Sequence, residues 1–373
     1  MERFLYDAVA AGMWGYTHAA FRVRTLGRER YRPGPGTILA ITHRRETDVP
    51  LVCPPLYRGG RMWTGGGGVR MTFAARQDLF EPGFFAGFPA AVPAPVRRAL
   101  WRIDISRYLD ILTLRPVRSA ALIRLVDIVR AEPGLDVSEL PEGIAADLRG
   151  RAAELELPEP KVAGDVDRGE YADLLWRTYG RSELGGPEVD PAWRRHAAAA
   201  GGDFRTLVED LRAGGILQLF PEGWPSANGE IGPLQRGLSA LVRRGSPTSI
   251  QPVGIAYDPL TRGRTHAFVS YETPFPPPSE DVEAAVLDRL KLAVPLTAGQ
   301  VVAAAVVEET EPGEALLDDA VEAAREEGRS LAPELVDPGE RRRRLAEARA
   351  AAAKADRTVL EYLAREYRSA RER

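Results

Sequence analysis

The residues best suited to chemistry are a histidine and an aspartate five positions apart, His43 and Asp48. The apolar run Ile38 to Ile41 precedes them and predicts a buried strand. Thr47 and Asp48 predict the start of a helix, because a side-chain oxygen there can bind the free N–H groups of the first turn. A turn between the two elements would fold the carboxylate back towards the imidazole. Asp48 could then hold one ring nitrogen by its proton, while the other takes a proton from a hydroxyl.

A second candidate residue, Glu222, follows another predicted strand, Ile216 to Phe220. The turn Pro221-Glu222-Gly223 begins where that strand ends. In open α/β sheets, the carboxyl ends of strands are the usual position of a site. Gly223 is suited to a close approach of the backbone. A similar triplet, Pro141-Glu142-Gly143, follows no predicted strand and is not a candidate site.

Two arginines, Arg115 and Arg118, follow the apolar run Ile111 to Leu114, which predicts a third strand. A pair of guanidinium groups at a strand end is suited to bidentate binding of a phosphate. Two arginines in an exposed loop that binds no ligand would explain the same residues equally well, before other residues are considered.

Composition narrows the classes of protein that are possible. The chain has 373 residues, one cysteine and four histidines, so an intramolecular disulfide and a multi-cysteine metal site are excluded. Residues 1–130 carry a net charge of +10 and the remaining residues a net charge of −13, which indicates a face for an anionic partner. The first apolar segment is interrupted by Asp7 and His18, and no apolar run has the length of a membrane span. We therefore expect a cytoplasmic protein.

The elements that would position these residues alternate between helix and strand over most of residues 36–275, which predicts an α/β layered domain. Further predictions are a basic helix around Arg97 to Arg107, an amphipathic helix over 119–130 and a strand from Ile250 to Ile255. The Gly65 to Gly68 run lacks the lysine and hydroxyl residue of a phosphate-binding loop and is interpreted as a connector.

The predicted domains are residues 1–33, 34–275 and 276–373. Residues 3–21 form an apolar, aromatic helix followed by an arginine-rich segment, so the N-terminal region either lies in a membrane interface or covers the sheet. Residues 131–202 are acidic and rich in proline and glycine, which predicts a helical insertion or lid. Residues 276–373 predict a helical, charged C-terminal extension with a solvated surface. Within it, Leu296 to Val302 predicts a capped helix that rests on the main domain.

The motifs occur in a recognisable order. They are His43-x4-Asp48, Phe73-Ala-Ala-Arg-Gln-Asp-Leu-Phe80, Leu114-Arg-Pro-Val-Arg118, Phe220-Pro-Glu-Gly223 and Gln251-Pro-Val253. In this order they resemble the glycerolipid acyltransferase superfamily, typified by 1-acylglycerol-3-phosphate and glycerol-3-phosphate acyltransferases. The resemblance covers roughly residues 36–257 without the insertion and implies an α/β fold with a mixed sheet flanked by helices.

The resemblance also implies a function. A fatty acyl group would move from a coenzyme A or carrier-protein thioester, a co-substrate rather than a bound cofactor, to a hydroxyl of a lipid acceptor. His43 would be the base and Asp48 its partner, Arg115 and Arg118 would hold the acceptor's phosphate, and Glu222 would bind acceptor hydroxyls or order an arginine. The family normally has Thr-Arg-Ser after Glu-Gly, where this sequence has Trp224-Pro225-Ser226. Either Arg115 and Arg118 hold the phosphate alone, or the acceptor is not a glycerol phosphate.

The alternative function is a lipid-binding protein of the same fold without chemistry. The missing arginine favours this alternative, while intact His43, Asp48 and Glu222 oppose it. Nucleic acid is not an expected partner, because the arginines lack interleaved aromatic residues and no binding motif occurs. The expected partners are the acyl thioester, the lipid acceptor and an anionic membrane surface on the inner face of the cell membrane. The oligomeric state is left open by the sequence.

Overall fold

The computed structural model describes residues 2–57, 71–87, 93–184 and 186–372. The strands are β1 (Arg22–Leu26), β2 (Thr37–Ile41), β3 (Thr72–Arg76), β4 (Leu114–Val117), β5 (Leu122–Arg124), β6 (Thr178–Gly180), β7 (Leu217–Leu219), β8 (Ser249–Asp258) and β9 (His266–Tyr271). The α-helices are α1 (Glu2–Ala20), α2 (Asp48–Tyr57), α3 (Ala94–Leu100), α4 (Ser106–Ile111), α5 (Leu125–Ala131), α6 (Glu142–Glu154), α7 (Ala172–Leu175), α8 (Asp190–Arg212), α9 (Gly237–Gly245), α10 (Val282–Ala293), α11 (Ala298–Val307), α12 (Glu314–Glu326), α13 (Pro338–Ala352) and α14 (Arg357–Ser369).

The main sheet has seven strands in the order β1–β9–β8–β2–β7–β3–β4. Strand β2 pairs in parallel with β7 and β8, and β3 pairs in parallel with β7, whereas β9 runs antiparallel to β8. The predicted α/β fold with a mixed sheet flanked by helices is therefore confirmed. Because β2, β7 and β8 run in the same direction, their carboxyl ends lie at one edge of the sheet.

Contacts divide the chain into two compact units, residues 1–73 with 208–373, and residues 74–207. In the first unit, Ile38, Leu39, Ala40 and Ile41 of β2 are fully buried, as expected for a central strand covered on both faces. The predicted strand at this position is therefore confirmed. The domain boundaries that were expected from the sequence stay a prediction.

The C-terminal helices of the first unit form one apolar cluster around α11, whose residues Ala298 to Ala305 are all buried. The Thr297 hydroxyl accepts a hydrogen bond from the Gln300 amide, and the Gln300 side chain accepts one from the Thr297 amide, so the predicted cap is confirmed. The expectation of a solvated appendage is wrong for the inner face of α14, because Leu360, Leu363 and Ala364 are also buried.

The second unit contains the region predicted as an insertion, and that region is largely helical as expected. The apolar core of the second unit includes Leu125, Val126, Ile128 and Val129 of α5. A separate two-stranded sheet pairs β5 with β6 in antiparallel register. Glu142 of the triplet set aside above begins α6 and forms an exposed ion pair with Arg149.

Three predicted elements in the second unit are wrong in part. The run Ile111 to Leu114 ends α4 and turns, with Thr113 at φ +59°, so the strand begins at Leu114. The basic helix around Arg97 to Arg107 is two short helices, because the Asp104 carboxylate binds the Ser106 amide in a local turn. The helix expected over 119–130 begins at Leu125, after the residues that form β5. The segment Gly65 to Gly68, which was interpreted as a connector, lies outside the described residues.

The N-terminal helix α1 packs against α2 and presents its other side outwards. Ala10 and Thr17 are buried, whereas 38% of Trp14 and 52% of Tyr16 are exposed. The choice between the two roles left open for this helix stays a prediction. Strand β1 follows directly and pairs with β9. Over the described ranges, none of the helices combines the length and the apolarity that a membrane span requires.

Candidate active site

The candidate site begins where β2 ends. His43 lies two residues beyond Ile41, and its Nδ1 atom is 3.0 Å from Oδ2 of Asp48, the first residue of α2. Both side chains are buried, with His43 5% and Asp48 0% exposed. A carboxylate accepts hydrogen bonds only, so the proton in this contact belongs to Nδ1. Nε2 then carries the lone pair, and no described residue makes a hydrogen bond to it.

Asp48 is held by several donors besides the imidazole. Its Oδ2 atom accepts hydrogen bonds from the backbone amides of Arg44 and Arg45, at 2.5 and 2.8 Å. Its Oδ1 atom accepts one from the Tyr257 hydroxyl at 2.7 Å. Burial and the charge of Asp48 raise the pKa of the Tyr257 phenol, so this hydroxyl stays a donor. These bonds stabilise the charged carboxylate in one orientation.

The start of α2 was predicted from a hydrogen bond that differs from those in the structure. We expected an oxygen of Thr47 or Asp48 to bind the amides of the first turn of α2. In the structure the Asp48 carboxylate points back to Arg44 and Arg45, and the Thr47 hydroxyl contacts the Tyr257 hydroxyl at 3.1 Å. The helix begins at the expected residue, but this capping prediction is wrong because the Asp48 carboxylate binds the preceding turn and the Thr47 hydroxyl contacts Tyr257 of β8.

The turn beyond β7 lies beside the turn that carries His43. Oε1 of Glu222 accepts a hydrogen bond from the His43 amide at 2.7 Å, and the Ser226 amide donates to the His43 carbonyl at 2.9 Å. The Phe220 ring stacks on the imidazole, with ring centres 4.3 Å apart. The two turns are therefore joined on both sides of the His43 backbone. The parallel pairing of β2 with β7 brings them together.

Arg44 connects the two turns through its side chain. Its Nη2 atom donates to both carboxylate oxygens of Glu222, at 3.0 and 2.7 Å, and its Nη1 atom donates to the carbonyls of Gly229 and Glu230. Only 2% of Arg44 is exposed. Burial acts to lower the pKa of Arg44, but the charges of Glu222 and Glu366 outweigh it and the pKa is raised. Both side chains of this ion pair are buried.

Both oxygens of Glu222 are thus bound within the protein, since Oε2 also accepts from the Gly232 amide at 3.1 Å. Of the two roles predicted for Glu222, the ordering of an arginine is the one whose contacts are present. Gly223 has φ +82°, a conformation that favours glycine, and its amide donates to the Phe220 carbonyl within the turn. Next to it, 50% of Trp224 is exposed.

The structure places Arg115 and Arg118 in the second unit. Arg115 lies within β4 and forms an ion pair with Asp110 at 2.5 Å. Arg118 follows the end of the strand, and its Nε atom is 3.5 Å from Oδ2 of Asp203. Burial raises the pKa of Asp203, although the charge of Arg118 acts to lower it. Both arginines therefore have carboxylate partners, and their role in phosphate binding stays a prediction.

Two residues of the site, Arg44 and Tyr257, were not predicted from the sequence. A signal for Arg44 was present, because a glutamate at a buried strand end requires a cation and Arg44 follows His43 directly. No local signal pointed to Tyr257, which lies more than 200 residues further along the chain and reaches Asp48 through the pairing of β8 with β2.

The arrangement supplies one buried imidazole with a fixed proton at Nδ1 and a basic nitrogen at Nε2. Such a group can remove a proton from a hydroxyl that approaches the carboxyl end of β2. In the described part of the chain, no cluster of three or more histidine, cysteine, aspartate or glutamate side chains is arranged to hold a metal ion.

Comparisons with known proteins add little to this geometry. No family model matches the sequence, and no curated protein matches it. Among solved structures, the chain is similar to the crystal structure of the 1-acyl-sn-glycerophosphate (LPA) acyltransferase PlsC from Thermotoga maritima. The identity is 13%, 78% of each chain is covered and the TM-score is 0.40. At this level of similarity, an assignment of chemistry depends on the residues of this chain.

Proposed function

We propose that the protein is an O-acyltransferase that moves a fatty acyl group from a thioester to a hydroxyl of a lipid. The observation that carries the proposal is the 3.0 Å contact between His43 Nδ1 and Asp48 at the carboxyl end of β2. The ordered series of sequence motifs, from His43-x4-Asp48 to Phe220-Pro-Glu-Gly223, supports acyl transfer over other reactions that use a histidine base.

In the proposed reaction, Nε2 of His43 takes the proton of the acceptor hydroxyl while that oxygen attacks the thioester carbonyl carbon. The carbonyl oxygen becomes an oxyanion, which backbone amides at the site would stabilise. The C–S bond then breaks, the carbonyl re-forms and the imidazolium returns its proton to the departing thiolate. Asp48 stabilises the imidazolium between the two steps. No covalent enzyme intermediate is required, because a thiolate is a good leaving group.

The donor in this proposal is an acyl-coenzyme A or an acyl carrier protein. A glycerol phosphate or a lysophospholipid is the first acceptor to consider, with Arg115 and Arg118 as its phosphate ligands. Trp224 stands where the motif normally has a threonine before its arginine, so acceptors without a phosphate belong in the same test.

The test is acceptor-dependent release of thiol from an acyl thioester by the purified chain, with the lipid product identified by mass spectrometry. A panel of phosphorylated and unphosphorylated acceptors would define the class of substrate. A blank without thioester corrects for Cys53, the one thiol of the protein. We expect thiol release and ester formation in equal amounts; binding of the lipids without release of thiol would contradict the proposal.

The second candidate function is a protein that binds or presents lipid without chemistry. The observation in its favour is the replacement of the expected cation by Pro225, next to Trp224, half of which is exposed beside the second turn. The same experiment separates the two functions, because a binding protein would retain the lipid and leave the thioester intact.

We also propose that the protein is cytoplasmic and binds the inner face of the cell membrane peripherally. What supports this is the exposure of Trp14 and Tyr16 on α1, followed by the exposed Arg22 and Arg24 on β1. Removal of the whole segment would also remove β1 from the sheet, so a Trp14→Ser, Tyr16→Ser double variant is the better test. It should co-sediment less with phosphatidylglycerol vesicles at low salt than the wild type or a Tyr108→Ser control. Equal sedimentation of all three would contradict the proposal.

A further inference from the structure

The C-terminal helix α14 contacts the turn that carries His43 and the segment that follows the turn of Glu222. The Tyr362 hydroxyl donates a hydrogen bond to the Arg44 carbonyl at 3.2 Å. Seven residues later, the Ser369 hydroxyl accepts one from the Ile231 amide at 2.9 Å. Arg44 belongs to the turn that carries His43, and Ile231 follows the turn that carries Glu222. One helix thus holds a residue next to each turn.

The packing at this contact leaves little freedom. Gly229, whose carbonyl accepts from the Arg44 guanidinium, has φ +94°, and a Cβ atom there would lie 2.1 Å from the Tyr362 carbonyl oxygen. Its backbone therefore lies directly against α14. Burial raises the pKa of the Tyr362 phenol, so its hydroxyl remains a donor at neutral pH.

The same helix also supplies a buried carboxyl group, Glu366, that interacts electrostatically with Arg44. Glu366 is 1% exposed, and its Oε2 atom accepts a hydrogen bond from the Gln300 side chain at 2.9 Å. Burial raises the pKa of Glu366, while Arg44 acts to lower it. The Arg44 guanidinium thus forms its ion pair with Glu222 and also interacts electrostatically with Glu366 of α14.

We propose that α14 is a positioning element of the active site and that Tyr362 is its positioning residue. Arg44 follows His43 directly, and its amide donates to Asp48. A displacement of the Arg44 backbone would therefore move the carboxylate away from the imidazole as well as loosening the Glu222 pair. Tyr362 prevents this by fixing the carbonyl of the same residue. The inference rests on the proposed function for its kinetic test only.

The chain contains a matched control for this proposal. Tyr367 lies on the same helix, and its hydroxyl accepts a hydrogen bond from Arg371 at 2.8 Å, so Tyr367→Phe also removes one hydrogen bond. A purely structural role predicts the same result for both variants, which is a similar small decrease in Tm. We expect Tyr362→Phe to lower kcat by about tenfold with KM for the thioester unchanged, because small misplacements of a catalytic group are costly. Tyr367→Phe should retain the wild-type kcat.

A second readout does not depend on activity. His43 is one of four histidines, so its side-chain ¹⁵N signals can be assigned in a ¹⁵N-histidine sample by comparison with His43→Gln. Tyr362→Phe should shift these signals and Tyr367→Phe should leave them in place. Unchanged signals and unchanged kcat in Tyr362→Phe would overturn the inference while leaving the acyltransferase proposal intact. Shifted signals in a protein that transfers no acyl group would support the positioning role and refute the proposed function.

Discussion

Two buried arginine clusters lie at the same end of the strands, and only one of the two lies beside a histidine whose Nδ1 atom is 3.0 Å from a carboxylate oxygen. Nη2 of Arg44 is 2.7 Å from Glu222 and its Nη1 atom donates to the Glu230 carbonyl at 2.9 Å. Arg344 repeats this pattern, with Nη2 2.7 Å from Asp258 and Nη1 donating to the Leu260 carbonyl at 2.9 Å. Both guanidinium groups are almost completely buried. Both clusters therefore contain a buried ion pair between an arginine and a carboxylate.

The histidines next to the two clusters differ. His43 Nδ1 is 3.0 Å from Asp48, whose oxygens are bound by neighbouring amides and by Tyr257. The Nδ1 atom of His266 lies 3.5 Å from Oε1 of Glu334. Asp48 comes from the same turn as its histidine, whereas Glu334 comes from a distant segment. A local turn, and not the buried arginine, therefore orients the imidazole of His43.

The first prediction concerns the shared property. Arg44→Met and Arg344→Met should each lower the free energy of unfolding by about 3–5 kcal/mol, because each leaves a buried carboxylate without its cation. Urea denaturation measures this loss. Only Arg44→Met should also lose acyl transfer per folded molecule. Equal loss of transfer in both variants would mean that the two clusters do not differ in function.

The second prediction concerns the base itself. His43→Ala should lower kcat for acyl transfer by at least about 100-fold, because general-base catalysis contributes that much. His266→Ala removes a histidine of similar burial from the other cluster and should change kcat by less than about threefold, with circular dichroism spectra of both variants like the wild type. Full turnover in His43→Ala would remove this residue from the mechanism.

The third prediction is the smallest and concerns Tyr257, which is buried against Asp48. Tyr257→Phe should cost about 1 kcal/mol of stability at pH 7, the usual contribution of one hydrogen bond. Because the pKa of Tyr257 is raised in the folded state, the unfolded chain loses this proton first. Its stabilising contribution is therefore complete below about pH 10 and decreases above that pH.

The alkaline test uses the other buried tyrosines as a reference. Burial also raises the pKa of Tyr271 and of Tyr362, so the wild type should lose stability steeply above about pH 10. Denaturant melts between pH 8 and pH 11 should show a shallower decrease for Tyr257→Phe. An identical decrease in wild type and variant would show that Tyr257 is not held as a neutral donor.

Local features of the sequence predicted much of the site. The apolar run at β2 and the spacing of His43 and Asp48 depend on residues next to each other, so the turn between them could be foreseen. Glu222 could be placed at a strand end, but its partner Arg44 required knowledge that β2 and β7 are neighbours. Tyr362 could not be found at all, since it lies 318 residues from Arg44 in the chain.

The errors have the same physical origin. The residues Leu122 to Arg124 form β5 because they pair with β6, more than 50 residues away, although their own pattern continues that of the following helix. The C-terminal region was expected to be solvated because of its charges. Apart from the buried Arg329, Arg341, Arg344 and Glu366, its described charged residues instead lie outside a cluster rich in alanine, valine and leucine, and the composition of the whole region hides that arrangement.

The most direct measurement of the central claim is the ¹⁵N spectrum of the His43 imidazole at a pH where it is neutral. If Asp48 orients the ring, the proton is on Nδ1 and the unprotonated signal belongs to Nε2. Asp48→Asn should move the proton to Nε2, because the amide can donate to Nδ1, and should lower kcat by more than about tenfold. A wild-type ring with its proton on Nε2 would contradict the proposed base.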